Sequence, residues 1–269
     1  MSDLKELCKQ VRIDIIKMLH EAGSGHPGGS LSEVEILVAL YFKILKHNPK
    51  KPDSEDRDYF FISKGHCCPG LYSVLAHAGY FPLKELMTLR KFGSRLQGHP
   101  HRSLLPGIEN ASGPLGMGLS QALGAALALR LDKKTNKVYC LLGDGELDEG
   151  NVWEAAMSSS HFKINNLIAI VDRNHVQLSG TTKEIMKQEP LAEKWKAFGW
   201  EVHEINGHDI ELVISTIKKA QSSNKPVVII ADTIKGKGVS FMEGKAEWHG
   251  IAPNDAQTEQ ALKELEVNN

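Results

Sequence analysis

The stretch "VYCLLGDGELDEGN", residues 138–151, decides how this chain is read. Its apolar-leaning opening has the length of a buried strand. Gly143-Asp144-Gly145 then interrupts it, followed by Glu146, Asp148 and Glu149. Asp and Gly are ordinary turn residues, so a tight turn accounts for the three residues taken alone. A ligand site is the competing explanation, because α/β sheets bind ligands just beyond the carboxyl ends of their strands.

Outward from this point strands and helices alternate. Strand 138–142 precedes helix 151–162, strand 167–171 precedes a helix near 191–198, strand 201–205 precedes helix 210–220, and strand 227–231 follows. Near-continuous apolar strands between helices indicate a mostly parallel sheet covered on both faces. The fold class expected is therefore doubly wound α/β. Toward the N-terminus, Leu4, Leu7, Val11, Ile15, Met18 and Leu19 recur at helical spacing over 3–21. "GSGHPGGS" breaks that helix, Ser32-x-x-Glu35 reads as a capping box, and "EILVALYFKIL" carries the next helix. "DYFFIS" is a short strand. Residues 107–118 form a glycine-rich loop leading into the Ala-rich helix "LSQALGAALALRL". No repeat, low-complexity tract or linker divides the chain. A single domain over 1–269 is expected, with a helical N-terminal elaboration and a short C-terminal tail holding the helix "DAQTEQALKELEV".

A formal net charge of −1 provides no field for nucleic acid or an anionic membrane. No apolar run is long enough to span a bilayer, and "MSDLKELCKQ" lacks the apolar core of a signal peptide. Cys8, Cys67, Cys68 and Cys140 contain no Cys-x-x-Cys, which suits reduced thiols in the cytoplasm.

The strand "LIAIVDRN" ends at Asp172 and Asn174, so two adjacent strands present oxygen ligands at one sheet edge. The helix starting near Asn151 directs its N–H groups there. A carboxylate and an amide oxygen beside such N–H groups suit a Mg²⁺-bound diphosphate. Gly-Asp-Gly alone favours the turn; Asn174, thirty positions after Asp144 on the next strand, favours the site. His26, His66 and His99 each stand beside a loop glycine, which can expose an imidazole to a ligand. Metal binding by His99 and His101 is a rival without a third ligand. Glu146 and Asp148 read as first-turn acids favouring the helix dipole, Lys237 as a solvated loop residue, and Trp195 and Trp200 as core.

These motifs resemble those of transketolases. Residues 143–174 look like the thiamine-diphosphate signature, and "SGHPGGSLS", "SKGHCCPGLY", "LQGHP", "ASGPLGMGLSQALG" and "TIKGKGVSFMEGKAEWHG" stand in the family's order over nearly the whole chain. The deoxyxylulose-phosphate synthases share Gly-Asp-Gly, but "LQGHP" and the "WHG" ending fit transketolase better. The resemblance implies the diphosphate-binding domain, with Asp144, Asn174 and the carbonyl of Val176 as Mg²⁺ ligands. It implies Gly145, Gly113, Pro114, Leu115, Lys64, His66, Lys235 and His249 at thiamine diphosphate. His26, His66, His99 and His249 would manage substrate protons, and Glu149 would join active sites across a subunit interface. Arg173 stands where many relatives have Asp or Asn. The family's pyrimidine-binding and C-terminal domains are not in this chain, so a second subunit carrying the pyrimidine-binding domain is expected, with a heterotetramer the simplest assembly. The implied activity is transfer of a two-carbon ketol unit between sugar phosphates, as in the pentose phosphate pathway. The alternatives are ketol transfer on an unusual sugar phosphate and a non-catalytic diphosphate-binding protein.

Overall fold

The computed structural model describes residues 2–267; Met1, Asn268 and Asn269, which the expected single domain includes, lie outside the described residues. Helix α1 (Ser2–Ala22) is followed by the short helices α2 (Pro27–Ser32) and α3 (Val34–Ala39), strand β1 (Tyr59–Ile62) and helix α4 (Cys68–His77). Helix α5 (Met117–Leu131) then leads into β2 (Val138–Gly143), α6 (Gly150–His161), β3 (Leu167–Arg173), α7 (Thr182–Ile185) and α8 (Leu191–Ala197). Strand β4 (Glu201–Asn206), helix α9 (Ile210–Ala220), strand β5 (Val227–Asp232) and helix α10 (Asp255–Val267) complete the order.

The five strands form one parallel sheet in the order β1-β2-β3-β5-β4. Strand side chains alternate between faces, and so the core splits in two. Tyr139, Leu141, Ile168, Ile170 and Ile229 pack with residues of α1, α3, α4, α9 and α10. Val138, Cys140, Leu142, Ala169, Val171 and Val228 pack on the other face with residues of α5, α6 and α8. Both faces of the central strands are therefore dry, which explains why their sequences show no polar alternation. Trp195 and Trp200 belong to the second core, as expected, with rings 5.0 Å apart.

Two local expectations fail. Ser32 and Glu35 do not form a capping box. Ser32 Oγ donates to Asp172 Oδ2 at 2.6 Å, while Glu35 pairs with Arg12 at 2.7 Å and His208 at 3.0 Å. The helix expected over "EILVALYFKIL" does form, starting at Val34 just after a break at Glu33 (φ −90°, ψ 1°) and widening to a π-helical turn at Leu40–Ile44. The capping box that does form is Thr181 with Glu184, at the start of α7. The second correction concerns the turn after β2. A 3-10 turn, Gly145–Asp148, separates it from α6, so the N–H groups nearest the strand end belong to that turn rather than to the helix.

Candidate active site

The parallel register puts Gly143 opposite Asp172, and the chain leaves the sheet at Asp144 on one strand and at Asn174 just beyond the next. Over these ends opens a cavity of ≈ 300 Å³. Its lining contains His26, Lys64, His66, His99, Gly113, Leu115, Asp144, Gly145, Asn174, Val176, Lys235 and His249. Pro114 and Glu149 are the two expected site residues outside it. Glu149 is the exposed N-cap of α6 and makes no side-chain cap bond.

The floor is acidic and buried. Asp144 is 2% exposed; Oδ1 accepts from Gly145 N at 2.8 Å and Oδ2 from His175 N at 2.5 Å. Burial, with Asp172 nearby, lifts its carboxyl to about 6, while the two N–H donors and Lys235 pull the other way. A carboxylate held at that cost at a cleft wall is poised for a cation. Asn174 Oδ1 accepts from Val176 N at 3.2 Å. The Val176 carbonyl accepts from Lys235 Nζ at 2.9 Å, and the same ammonium lies 3.3 Å from Gln177 O and 2.8 Å from His249 Nδ1. A protein cation thus already stands against one of the three oxygens, and burial depresses Lys235 to about 8. Carboxylate, amide and carbonyl oxygens are the donors Mg²⁺ prefers, so these residues fit the ion. Among the described residues no cluster of three or more His, Cys, Asp or Glu could hold a metal.

Asp172 was expected to offer an oxygen at the same edge. It points inward instead, 0% exposed, taking donors from Lys64, Ser32, Thr233 and Asn174. Burial works against its charge, but Lys64 together with the Ser32 and Thr233 hydroxyls outweighs it, holding the carboxyl below the usual range. Glu146, read as a solvated helix-start acid, is another correction. It is 2% exposed and accepts from Ser63 Oγ, from Gly116 N at 2.7 Å and from Gly143 N at 3.0 Å. One carboxylate thereby ties the end of β1, the glycine-rich loop and the end of β2 together. Asp148 remains a surface acid, accepting from Gln177 and Gln188.

The opposite wall is made of imidazoles. His26 caps α2, His66 lies in the turn before α4, His99 in the loop before Gly113, and His249 ends a 3-10 turn. Ring centroids of His26 are 5.0 Å from His66, 5.5 Å from His249 and 6.4 Å from His99. Burial first, then a nearby Lys or Arg, lowers all four, and neighbouring imidazoles add to the fall for His26, His66 and His249; His26 falls to about 4 and His249 to about 3. They are neutral at pH 7, able both to accept and to give a proton. His26 Nδ1 is buried without a partner. His101, the rival metal ligand, instead pairs with Ser103 at 2.8 Å on the surface.

Sequence reasoning missed Cys67, Gln177 and Leu178 in the lining, and Arg90, whose charge helps lower His26 and His99. Arg90 has a left-handed backbone (φ 60°), and its guanidinium occupies the space beside Gly98 where a Cβ would stand 2.7 Å from Cζ. Only the glycine preceding His99 hints at this. Arg173 turns from the cleft to Glu189 and Glu204.

Residues 4–269 match the family "Transketolase, thiamine diphosphate binding domain". The chain is 45% identical over 264 residues to one subunit of the apulose-4-phosphate transketolase of Actinobacillus succinogenes, covering 98% of this chain and 96% of that protein. It is 42% identical over 265 residues to one subunit of the 6-deoxy-6-sulfo-D-fructose transketolase of a Clostridium species, covering 98% and 96%. The solved transketolase of Campylobacter jejuni superposes with a TM-score of 0.93 at 35% identity; the match covers 99% of this chain but 43% of that one. The chain belongs to the transketolase family, through its thiamine diphosphate binding domain.

Proposed function

We propose that this chain is the diphosphate-binding subunit of a two-chain, transketolase-type enzyme. In this proposal Mg²⁺ is held by Asp144, Asn174 and the carbonyl of Val176, and thiamine diphosphate lies against Gly113, Pro114, Leu115, Gly145, His66 and His249. Bound there, the cofactor supplies the electron sink for cleaving a carbon–carbon bond beside a ketose carbonyl. The chain's own residues bind, orient and move protons. Asp144 keeps its charge for the cation. Lys235, which here donates to the Val176 carbonyl, would be free to offer its ammonium to the diphosphate if that carbonyl held the metal. His26, His66, His99 and His249, neutral and mutually in contact, exchange protons with sugar hydroxyls as the two-carbon unit leaves and is transferred.

The observation that carries this proposal is Asp144, a nearly buried carboxylate at a strand end, beside an amide and a carbonyl oxygen in one cleft. What supports a second chain is the naming of two relatives as transketolase subunits, each matched by this chain over 96% of its own length. Glu149, exposed at the rim, is then free to meet that second chain.

The substrate proposed is an uncommon anionic sugar rather than a pentose-pathway ketose. The names of two full-length relatives, one for apulose-4-phosphate and one for a sulfofructose, favour it. The test is a panel of phosphorylated and sulfonated ketoses offered with Mg²⁺, thiamine diphosphate and the partner chain. Turnover of an uncommon sugar ahead of xylulose 5-phosphate is expected; a clear preference for the latter would return the substrate to the ordinary class.

A further inference from the structure

Lys64, at the cleft lining, joins two carboxyl groups behind it in a cluster that the chemistry above does not use. Lys64, Asp172 and Glu33 are all 2% exposed or less. Lys64 Nζ reaches Asp172, Glu33 Oε2 at 2.8 Å and the Gly29 carbonyl at 3.2 Å. Two carboxyl groups thus share one ammonium in a dry interior. Burying a second, uncompensated negative charge is prohibitively unfavourable, so one carboxyl keeps its proton.

The donor count identifies which one. Asp172 receives Ser32 Oγ, Thr233 Oγ1, Asn174 Nδ2 and Lys64 Nζ, a set that stabilises a carboxylate. Glu33 has only the charge contact with Lys64, without hydrogen-bond alignment, and Oε1 has no partner at all. Glu33 stands at the break between α2 and α3, which is why an acid enters the core here. We propose that Glu33 is held protonated at neutral pH and acts as a positioning residue for Lys64, leaving the cluster behind the diphosphate site with no net negative charge.

Burial pushes Glu33 up to about 8, with Lys64 opposing and Asp172 reinforcing the shift. The other titratable groups that sense Glu33 are the thiols of Cys67 and Cys68, both pushed to about 12 or above by burial and silent in this range. Ionised Glu33 would place a negative charge behind the site and repel an anion.

The direct test needs no ligand. The full chain is labelled with ¹³C on glutamate side chains, which excludes Asp144, and the Glu33 carboxyl is assigned by through-bond correlation to its own amide. A protonated signal at pH 7 that titrates near pH 8 is expected; a carboxylate signal at pH 7 overturns the proposal. A second arm rests on the cleft being the diphosphate site. Calorimetry of Mg²⁺–thiamine diphosphate should show affinity falling about three- to tenfold between pH 8 and 9.5, since one proton contributes at most a factor of ten per unit. Glu33→Gln should remove most of that fall, leaving the part due to Lys235. Equal falls in the two proteins also overturn the role assigned to Glu33. If no thiamine diphosphate binds at any pH even with the partner chain present, the cofactor assignment fails, while the carboxyl titration still decides the state of Glu33.

Discussion

The floor and the histidine wall of the cleft handle charge in opposite ways. On the floor every acid is buried and answered: Asp172 by four donors, Glu146 by three and Asp144 by two backbone N–H groups. On the wall four imidazoles face one another with few partners and are driven neutral. The floor holds fixed charge, which in the proposal above serves a metal and a diphosphate. The wall has no fixed charge, which in the same proposal lets protons come and go. Residue type alone does not make this division; the number of donors aimed at each group does.

The largest expected effect is structural and falls on the floor. Glu146→Ala leaves Ser63, Gly116 and Gly143 with buried donors unmade. At about 1–3 kcal/mol for each unsatisfied group, less what water recovers, the loss should be about 4 kcal/mol. Urea unfolding of the full chain measures it, and a change below about 1 kcal/mol would show that Glu146 organises nothing. Next comes Asp144→Ala, which removes the anionic ligand yet leaves only two backbone N–H groups to rehydrate. Loss of an outer partner of a metal costs about 10–100-fold, so loss of the ligand itself should weaken Mg²⁺-dependent cofactor affinity by about 100-fold or more. Unchanged calorimetric affinity would remove Asp144 from the metal.

His99→Ala probes the wall. Its expected mark is a kcat for ketol transfer lowered about 100-fold in the assembled enzyme, within the usual range for general acid–base catalysis, with cofactor affinity changed far less. Loss of affinity with kcat preserved would move His99 from wall to floor. The smallest effect is in pH dependence. The unfolded chain's imidazoles titrate near 6.5, whereas His249 in the fold titrates at about 3. Between those values the unfolded state binds more protons, so the contribution of His249 to stability is present above pH 6.5 and lost as pH falls. Asp144, raised to about 6, works the other way, losing stability as pH rises from about 4 to 6. His249→Gln should therefore flatten the acid limb of the stability profile. An acid limb identical to that of the unsubstituted chain would contradict the wall's neutrality.

The sheet was legible because its central strands are apolar runs, and each of the five expected strands lies where periodicity and turn residues placed it. The break at Glu33 and the missing Ser32–Glu35 capping box were not, because they answer to tertiary partners: Lys64 draws Glu33 inward, and Arg12 and His208 draw Glu35. In the cleft, glycine-flanked histidines and the Asp144–Asn174 spacing were visible in sequence. The burial of Glu146 and the inward turn of Asp172 were not, since an acid after a strand reads the same whether its donors come from water or from three distant segments. Arg90 was hidden for a related reason. Its left-handed backbone and its packing on Gly98 exist only once two loops meet.

The central claim is that this chain contributes one half of a cofactor site whose other half lies on a different chain. Reconstitution tests it most directly: ketol transfer is measured with Mg²⁺ and thiamine diphosphate for the purified chain alone, and again with a chain carrying the pyrimidine-binding domain. The account predicts no turnover by the first and turnover by the mixture, with both chains co-eluting as one assembly. Sustained turnover by this chain alone, freed of host enzyme, would contradict it.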